Sequence, residues 1–181
     1  MRQIHLFNGE KGGVGKSWVC KTAIAFHLRQ NLAFAAYDAD RTNANVLRAY
    51  GDVAGVKPVI FSEADEFDTA ANAIFNTAAD GTRVLVNLPA QVMPALSAWI
   101  DVNDLFEMAE DAQVEWVNWF VSDGEADSID LFAQVLDQFG DNMRHVFVAN
   151  YGRTKKWDML TSDKSLLARM KQMSEHYLGK L

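Results

Sequence analysis

The chain has one cysteine, Cys20, so an internal disulfide is excluded and a cytoplasmic location is the default expectation. It has no apolar run of the ~18 residues that a membrane-crossing helix needs. Its start, Met1-Arg2-Gln3 and then a short strand-like stretch, lacks the apolar core and small-residue cleavage site of a secretory signal. There is no linker, low-complexity tract or internal repeat. The four histidines, His5, His27, His145 and His176, show no metal-ligand spacing with Cys20. No Ser/His/Asp or thiol-nucleophile arrangement is readable. Basic residues are missing from a long interval: Val84 to Met143 contains no Lys or Arg, while acids recur from Asp101 to Asp141.

What is present is ordinary for a folded protein. Apolar residues make up 49% and charged residues 23% of 181 positions, enough for one α/β domain over residues 1–181 with a real core. The net charge of −7 makes the whole chain a poor non-specific nucleic-acid binder. After Asp141 the balance reverses, with Arg144, Arg153, Lys155, Lys156, Lys164, Arg169, Lys171 and Lys180 outnumbering Asp158, Asp163 and Glu175. Solvated helix faces explain that excess, and local contact with DNA stays open.

Five β-leaning runs stand out: Gln3–Phe7, Leu32–Tyr37, Arg83–Leu88, Val114–Val121 and His145–Asn150. Val56–Phe61 is a weaker sixth. Several are apolar nearly throughout, which suits strands covered on both faces of a parallel sheet. Helical spacing separates them. Lys16–Gln30 carries Cys20, Ala23, Ile24 and Leu28 as one stripe, and Glu66–Ala79 and Ser128–Phe139 read alike, the latter capped by Asp127 or Ser128. Ser165–Leu178 places Leu166, Leu167, Met170, Met173 and Tyr177 on one side. Strands alternating with helices imply right-handed crossovers and a mostly parallel sheet. Trp116 and Trp119 sit in a strand, where core packing is favoured over base stacking.

The first strand leads into Asn8-Gly9-Glu10-Lys11-Gly12-Gly13-Val14-Gly15-Lys16-Ser17, and then a helix begins. That strand–loop–helix context is what a phosphate-binding loop needs. Gly12, Gly13 and Gly15 let the backbone come close to phosphate, with its N–H groups pointing inward at the positive end of the helix. Lys16 should reach the terminal phosphates, and the Ser17 hydroxyl should ligate Mg²⁺.

The strict pattern has Gly where this chain has Glu10, and it lacks the extra lysine, Lys11. The form Lys-Gly-Gly-Val-Gly-Lys-Ser resembles the deviant P-loop of the ParA and MinD ATPases. The resemblance runs in order from about Ile4 to Tyr151. It implies a Rossmann-like P-loop NTPase sandwich, ATP and Mg²⁺ as ligands, and an ATP-dependent homodimer in which Lys11 contacts the nucleotide of the opposite subunit. It further implies that Asp38 supports the Mg²⁺ shell and that Asp40 positions the attacking water. Asn150 would read adenine, although a plain strand-end role fits that residue equally. At the end of the third strand the family has an Asp for the metal shell, and this chain has Asn87, which can bond a metal-bound water but lacks the charge. Trp18 stands where the family has a small residue or Thr, either packing on the sheet or lying near the nucleotide.

Family members commonly continue with another strand and helix. The terminal helix could touch a membrane as that of MinD does, although core packing or a partner helix is favoured. The loop at Gly9–Ser17 and the run Val86–Val92 look most like ParA-like ATPases encoded with plasmid mobilisation or conjugation genes. A partner-stimulated ATPase moving DNA cargo is the first expectation. A non-hydrolysing nucleotide-dependent adaptor is the second, and a small-molecule kinase is the third.

Overall fold

The computed structural model describes residues 2–61 and 68–178. Six strands form one sheet: β1 (Gln3–Asn8), β2 (Ala35–Asp38), β3 (Lys57–Pro58), β4 (Val84–Asn87), β5 (Glu115–Ser122) and β6 (Arg144–Ala149). Their order is β3-β2-β4-β1-β5-β6, and every pairing is parallel. Eight α-helices connect and cover them: α1 (Lys16–Arg29), α2 (Asn45–Ala54), α3 (Asp68–Ala79), α4 (Met93–Val102), α5 (Leu105–Ala112), α6 (Ala126–Phe139), α7 (Asp158–Ser162) and α8 (Lys164–Leu178). The expected α/β class and P-loop NTPase architecture are what the chain adopts.

Alternation along the strands sorts the core into two halves. On one face Phe7, Ala36 and Leu85 pack with Cys20 and Ile24 of α1 and Val46 of α2. On the other face Ile4, Leu6, Val84, Val86, Trp116 and Phe120 pack with α3 to α6 and Leu166 of α8. Trp116 joins the second half and Trp119 the first, so both serve the core as expected. Burial pushes the Cys20 thiol up, which leaves it inert.

Some boundaries and stripes differ from the sequence reading. The second strand begins at Ala35, and Val56–Phe61 shrinks to Lys57–Pro58 at the sheet edge. The start of the helix read from Glu66 lies outside the described residues, as does the side chain of Tyr177. In α1 the buried stripe is Lys16, Cys20, Ile24 and His27, while Leu28 is exposed. Likewise Leu167 faces solvent while Leu166, Met170 and Met173 meet the core. Helix α6 starts two residues early, with Glu125 at the N-cap position. Ser128 instead bonds Ser122 Oγ at 2.9 Å, because a buried hydroxyl needs a partner more than a helix end does. Four helices went unread: α2, α4, α5 and the short α7. Pro94 lies in the first turn of α4, where its missing N–H costs nothing. Among the described residues no helix is long and apolar enough to cross a membrane.

At the N-terminal end of the sheet, His5 Nδ1 accepts from Trp119 Nε1 at 3.0 Å. Burial, then the charges of Arg83, His27 and Arg144, lowers the His5 pKa from 6.5 to about 4. The unfolded chain therefore binds this proton before the folded one does. The stability linked to neutral His5 is present above pH 6.5 and is lost as pH falls through 4. The full effect is about 3 kcal/mol. Urea melts at pH 7 and pH 4 should show a loss of that order, clearly smaller in His5→Gln. An equal loss in both chains would count against this account.

Candidate functional site: a phosphate loop at the centre of the sheet

The loop following β1 hangs from the strand between β4 and β5, at the carboxyl end where open α/β sheets gather ligands. Asn8 sets its start: the buried side chain accepts from Gly9 N through Oδ1 at 2.6 Å. Gly9 leaves no room for a side chain, since a Cβ would lie 2.5 Å from the Val121 carbonyl oxygen. Gly15 is the N-cap of α1 at φ 112°, and no side chain caps that helix. A Cβ there would lie 2.6 Å from Asn150 Nδ2. The N-terminal end of α1 is thus left without a side-chain cap, as an anion-binding helix start requires.

Lys16 is buried inside the loop. Its Nζ donates to Gly9 O at 2.8 Å and Lys11 O at 3.1 Å. Burial lowers its pKa, while the carboxylates of Asp40 and Glu10 oppose that shift. Lys11 points elsewhere. Its Nζ meets Asp127 Oδ1 at 3.0 Å and Asp123 Oδ2 at 3.3 Å, both in its own chain. The hydrogen bond to Asp127 raises the Lys11 pKa and lowers that of Asp127.

The acidic pair after β2 divides its labour. Asp38 is buried, and its Oδ2 accepts from Val46 N at 3.0 Å and Leu47 N at 2.9 Å, capping α2 from a distance. Its Oδ1 accepts from Asp40 N at 3.2 Å and from Asn87 Nδ2 at 2.8 Å. Asp38 therefore positions the other two. Asp40 Oδ1 takes Asn43 N at 2.9 Å and Thr42 Oγ1 at 3.0 Å, shaping its loop. The amide of Asn87 is oriented by Asp38: a flip would set oxygen against carboxylate. Its Oδ1 is buried and has no hydrogen-bond partner.

Those features test the fit of the implied ligands. An orphaned carbonyl oxygen at Asn87 suits a metal-bound water, and Ser17 lies in the first turn of α1. Among the described residues no cluster of three or more His, Cys, Asp or Glu could hold a metal alone. A site built on a hydroxyl, an amide oxygen and a nucleotide needs none.

Beside the loop lies a cavity of about 670 Å³, sized for a small molecule. Gly13, Gly15, Trp18 and Thr22 line one side, and Asn150, Tyr151 and Arg153 the other. Asn150 Nδ2 donates to Val14 O at 2.7 Å, and its Oδ1 accepts from Gly152 N at 3.0 Å. The side chain thus ties β6 to the loop at the rim of the cavity. Trp18 does not pack on the sheet; it is 72% exposed, with Lys21 Nζ 5.0 Å from its ring centroid.

The structure brings Gly12, Gly13, Val14, Gly15, Lys16, Ser17, Asp38, Asp40, Asn87 and Asn150 to one end of the sheet. The sequence reading missed Asn8, Arg153 and the partners of Lys11. Two acids close together in sequence, Asp123 in the loop before α6 and Asp127 in its first turn, were the available signal for the last of these. It also missed Glu10. That buried carboxylate sits at the backbone N–H groups of Val92 and Met93, at the start of α4, and burial raises its pKa.

No protein-family profile matches the chain. It is similar to Protein MobD of Acidithiobacillus ferrooxidans, with 24% identity over 164 residues, covering 90% of this chain and 70% of that protein. Among solved structures it is similar to chloroplast FtsY from Physcomitrella patens, at a TM-score of 0.53 and 13% identity. That likeness covers 81% of this chain, which spans about half the length of FtsY, 49%. Together with the loop at Gly9–Ser17, these likenesses identify the chain as having a P-loop NTPase fold.

Proposed function

We propose that this chain is a ParA/MinD-like switch that binds ATP with Mg²⁺, dimerises face to face and hydrolyses slowly. The observation that carries the reading is Lys16, held as a cation between two loop carbonyls in a glycine cradle. Lys16 would compensate the terminal phosphates, while first-turn N–H groups of α1 bind the others. Ser17 and Asn87 would hold the metal and its water, and Asp40 would orient the attacking water. Mg²⁺, when bound, supplies charge compensation for phosphoryl transfer.

The base cavity favours adenine. Guanine presents two adjacent N–H donors, which a carboxylate accepts best, and none of the residues lining the cavity is acidic. Arg153, by contrast, offers donors alone. Dimerisation would move Lys11 from Asp123 and Asp127 to a second subunit's nucleotide. Exposed ion pairs contribute little and exchange readily, so that transfer is cheap. The task we assign is plasmid or DNA partition, mobilisation or positioning in the cytoplasm, read by a partner protein. DNA could be contacted through the basic C-terminal third. A second reading has its own observation. Asn87 in place of a charged residue favours an adaptor that binds nucleotide without turnover.

Calorimetry with ATP and GTP, with light scattering for mass, tests the proposal. ATP with Mg²⁺ should bind at least about tenfold more tightly than GTP and double the mass, a tenfold ratio being about 1.4 kcal/mol. Lys11→Ala should still bind ATP yet stay monomeric. If no nucleotide binds, the proposal fails.

A further inference from the structure

A second concave site lies between α4 and α6, apart from the nucleotide cavity. Its volume is about 380 Å³. Met93, Pro94, Leu131 and Val135 give it apolar walls, and Gln134 and Gln138 border it. At its base is Glu10, which is 8% exposed. The Glu10 Oε1 atom is buried and has no hydrogen-bond partner. A buried carboxylate oxygen without a donor is costly unless something supplies one.

The two helices that form the groove carry charge of one sign. Both helices fall in the interval from Val84 to Met143 that contains no Lys or Arg. Asp101 lies one turn beyond Ser97 on α4, and Asp130 lies one turn before Gln134 on α6, so both share the groove's side. Both are exposed, and neither has an ion-pair partner among the described residues. Asp127 and Asp137 are held by Lys11 and Arg169. Asp101 and Asp130 thus remain available.

We propose that the α4–α6 groove docks a basic segment of a partner protein, with one arginine or lysine side chain reaching Glu10. Apolar walls accept the aliphatic stem of such a residue, and the carboxylate at the base accepts its head. Arginine fits best, because its planar fork can serve Glu10 while also donating to Gln134 or Gln138. Nucleic acid is disfavoured by the same charge that attracts the peptide.

The groove also touches the switch machinery. Glu10 belongs to the phosphate loop, and its side chain lines the groove beside Met93 and Pro94 at the start of α4. Gln91 N donates to Glu10 O at 3.1 Å. A cation seated on Glu10 would therefore be felt by both the loop and the segment after β4.

The test needs no nucleotide, so its failure is separable from failure of the switch reading. Fluorescent nona-arginine is titrated by anisotropy against the full chain at low salt. The triple variant Glu10→Gln/Asp101→Asn/Asp130→Asn should lose at least about tenfold in affinity. A variant with Asp52→Asn, Asp80→Asn and Glu125→Gln, equal in charge but away from the groove, should change less than about twofold by the same reasoning. If Glu10→Gln unfolds the chain by circular dichroism, Leu131→Lys, which leaves the loop intact, must give the same tenfold loss. Equal losses in both charge variants overturn the proposal. So does tighter binding of duplex DNA, or self-association that the groove variant abolishes.

Discussion

Lys16→Ala is expected to weaken binding of ATP with Mg²⁺ by at least about a hundredfold, on the order of 3 kcal/mol. Two effects add. The phosphates lose their one buried cation, and charge-assisted bonds are the strong ones where water is excluded. The loop also loses its brace, because Lys16 Nζ donates to Gly9 O and Lys11 O, from the first half of the loop. Without it those carbonyls turn toward water and the cradle must be reorganised at each binding event. Titration calorimetry checks this, with Lys21→Ala as the control. Lys21 sits over the exposed Trp18 ring, outside the loop, and its removal should cost far less. Binding by Lys16→Ala within threefold of the parent would remove the main support for the nucleotide site.

Asn87→Asp is the second large effect. It swaps one atom type, yet it should lower stability by about 3 kcal/mol without metal, since breaking a buried pairing leaves an uncompensated charge. In the parent, Asn87 Nδ2 donates to Asp38 Oδ1 at 2.8 Å, and both side chains are buried. The change turns that donor into an acceptor. Two carboxylates then face each other, while Asp38 is still committed to Val46 N and Leu47 N. For a chain of this size the loss corresponds to a fall in Tm of about 6–12 °C. With Mg²⁺ and ATP present, a dication would balance the added charge, and most of the loss should return. Thermal melts with and without both ligands check this. An unchanged Tm in metal-free buffer would mean that the Asn87–Asp38 contact is not the link described. Turnover that appears only in Asn87→Asp would favour the adaptor reading for the parent.

Legibility followed the range of the forces involved. Glycine spacing and an apolar strand before it are local signals, so the phosphate loop and most of the sheet could be read directly. Helices α2, α4, α5 and α7 could not. Helix α2 depends on a cap from Asp38, in another element. Tertiary capping leaves no mark within the helix itself. The same holds for side-chain partners. Lys11 was legible as an unusual second lysine, but its pairing with Asp123 and Asp127 joins segments more than a hundred positions apart. Asn87 was legible as a departure from the family's acid. That its amide would be held by Asp38, with one oxygen left over, required three dimensions.

The sheet order has a consequence for how the protein is made. Strand β1 is synthesised first, yet it is the strand enclosed by β4 and β5. One of its edges therefore stays open until Asn87 has been added and the other until Ser122, and Asn150 reaches the loop later still. Parallel pairing across such separations is slow, because the connecting chain must be ordered first. A ribosome-bound chain would carry its Gly9–Ser17 loop through most of synthesis without a working cradle. Nucleotide can select the finished fold but cannot template the early one. The vulnerable interval for aggregation is then the passage from β1 to β5, when an apolar strand waits with at least one unmet edge.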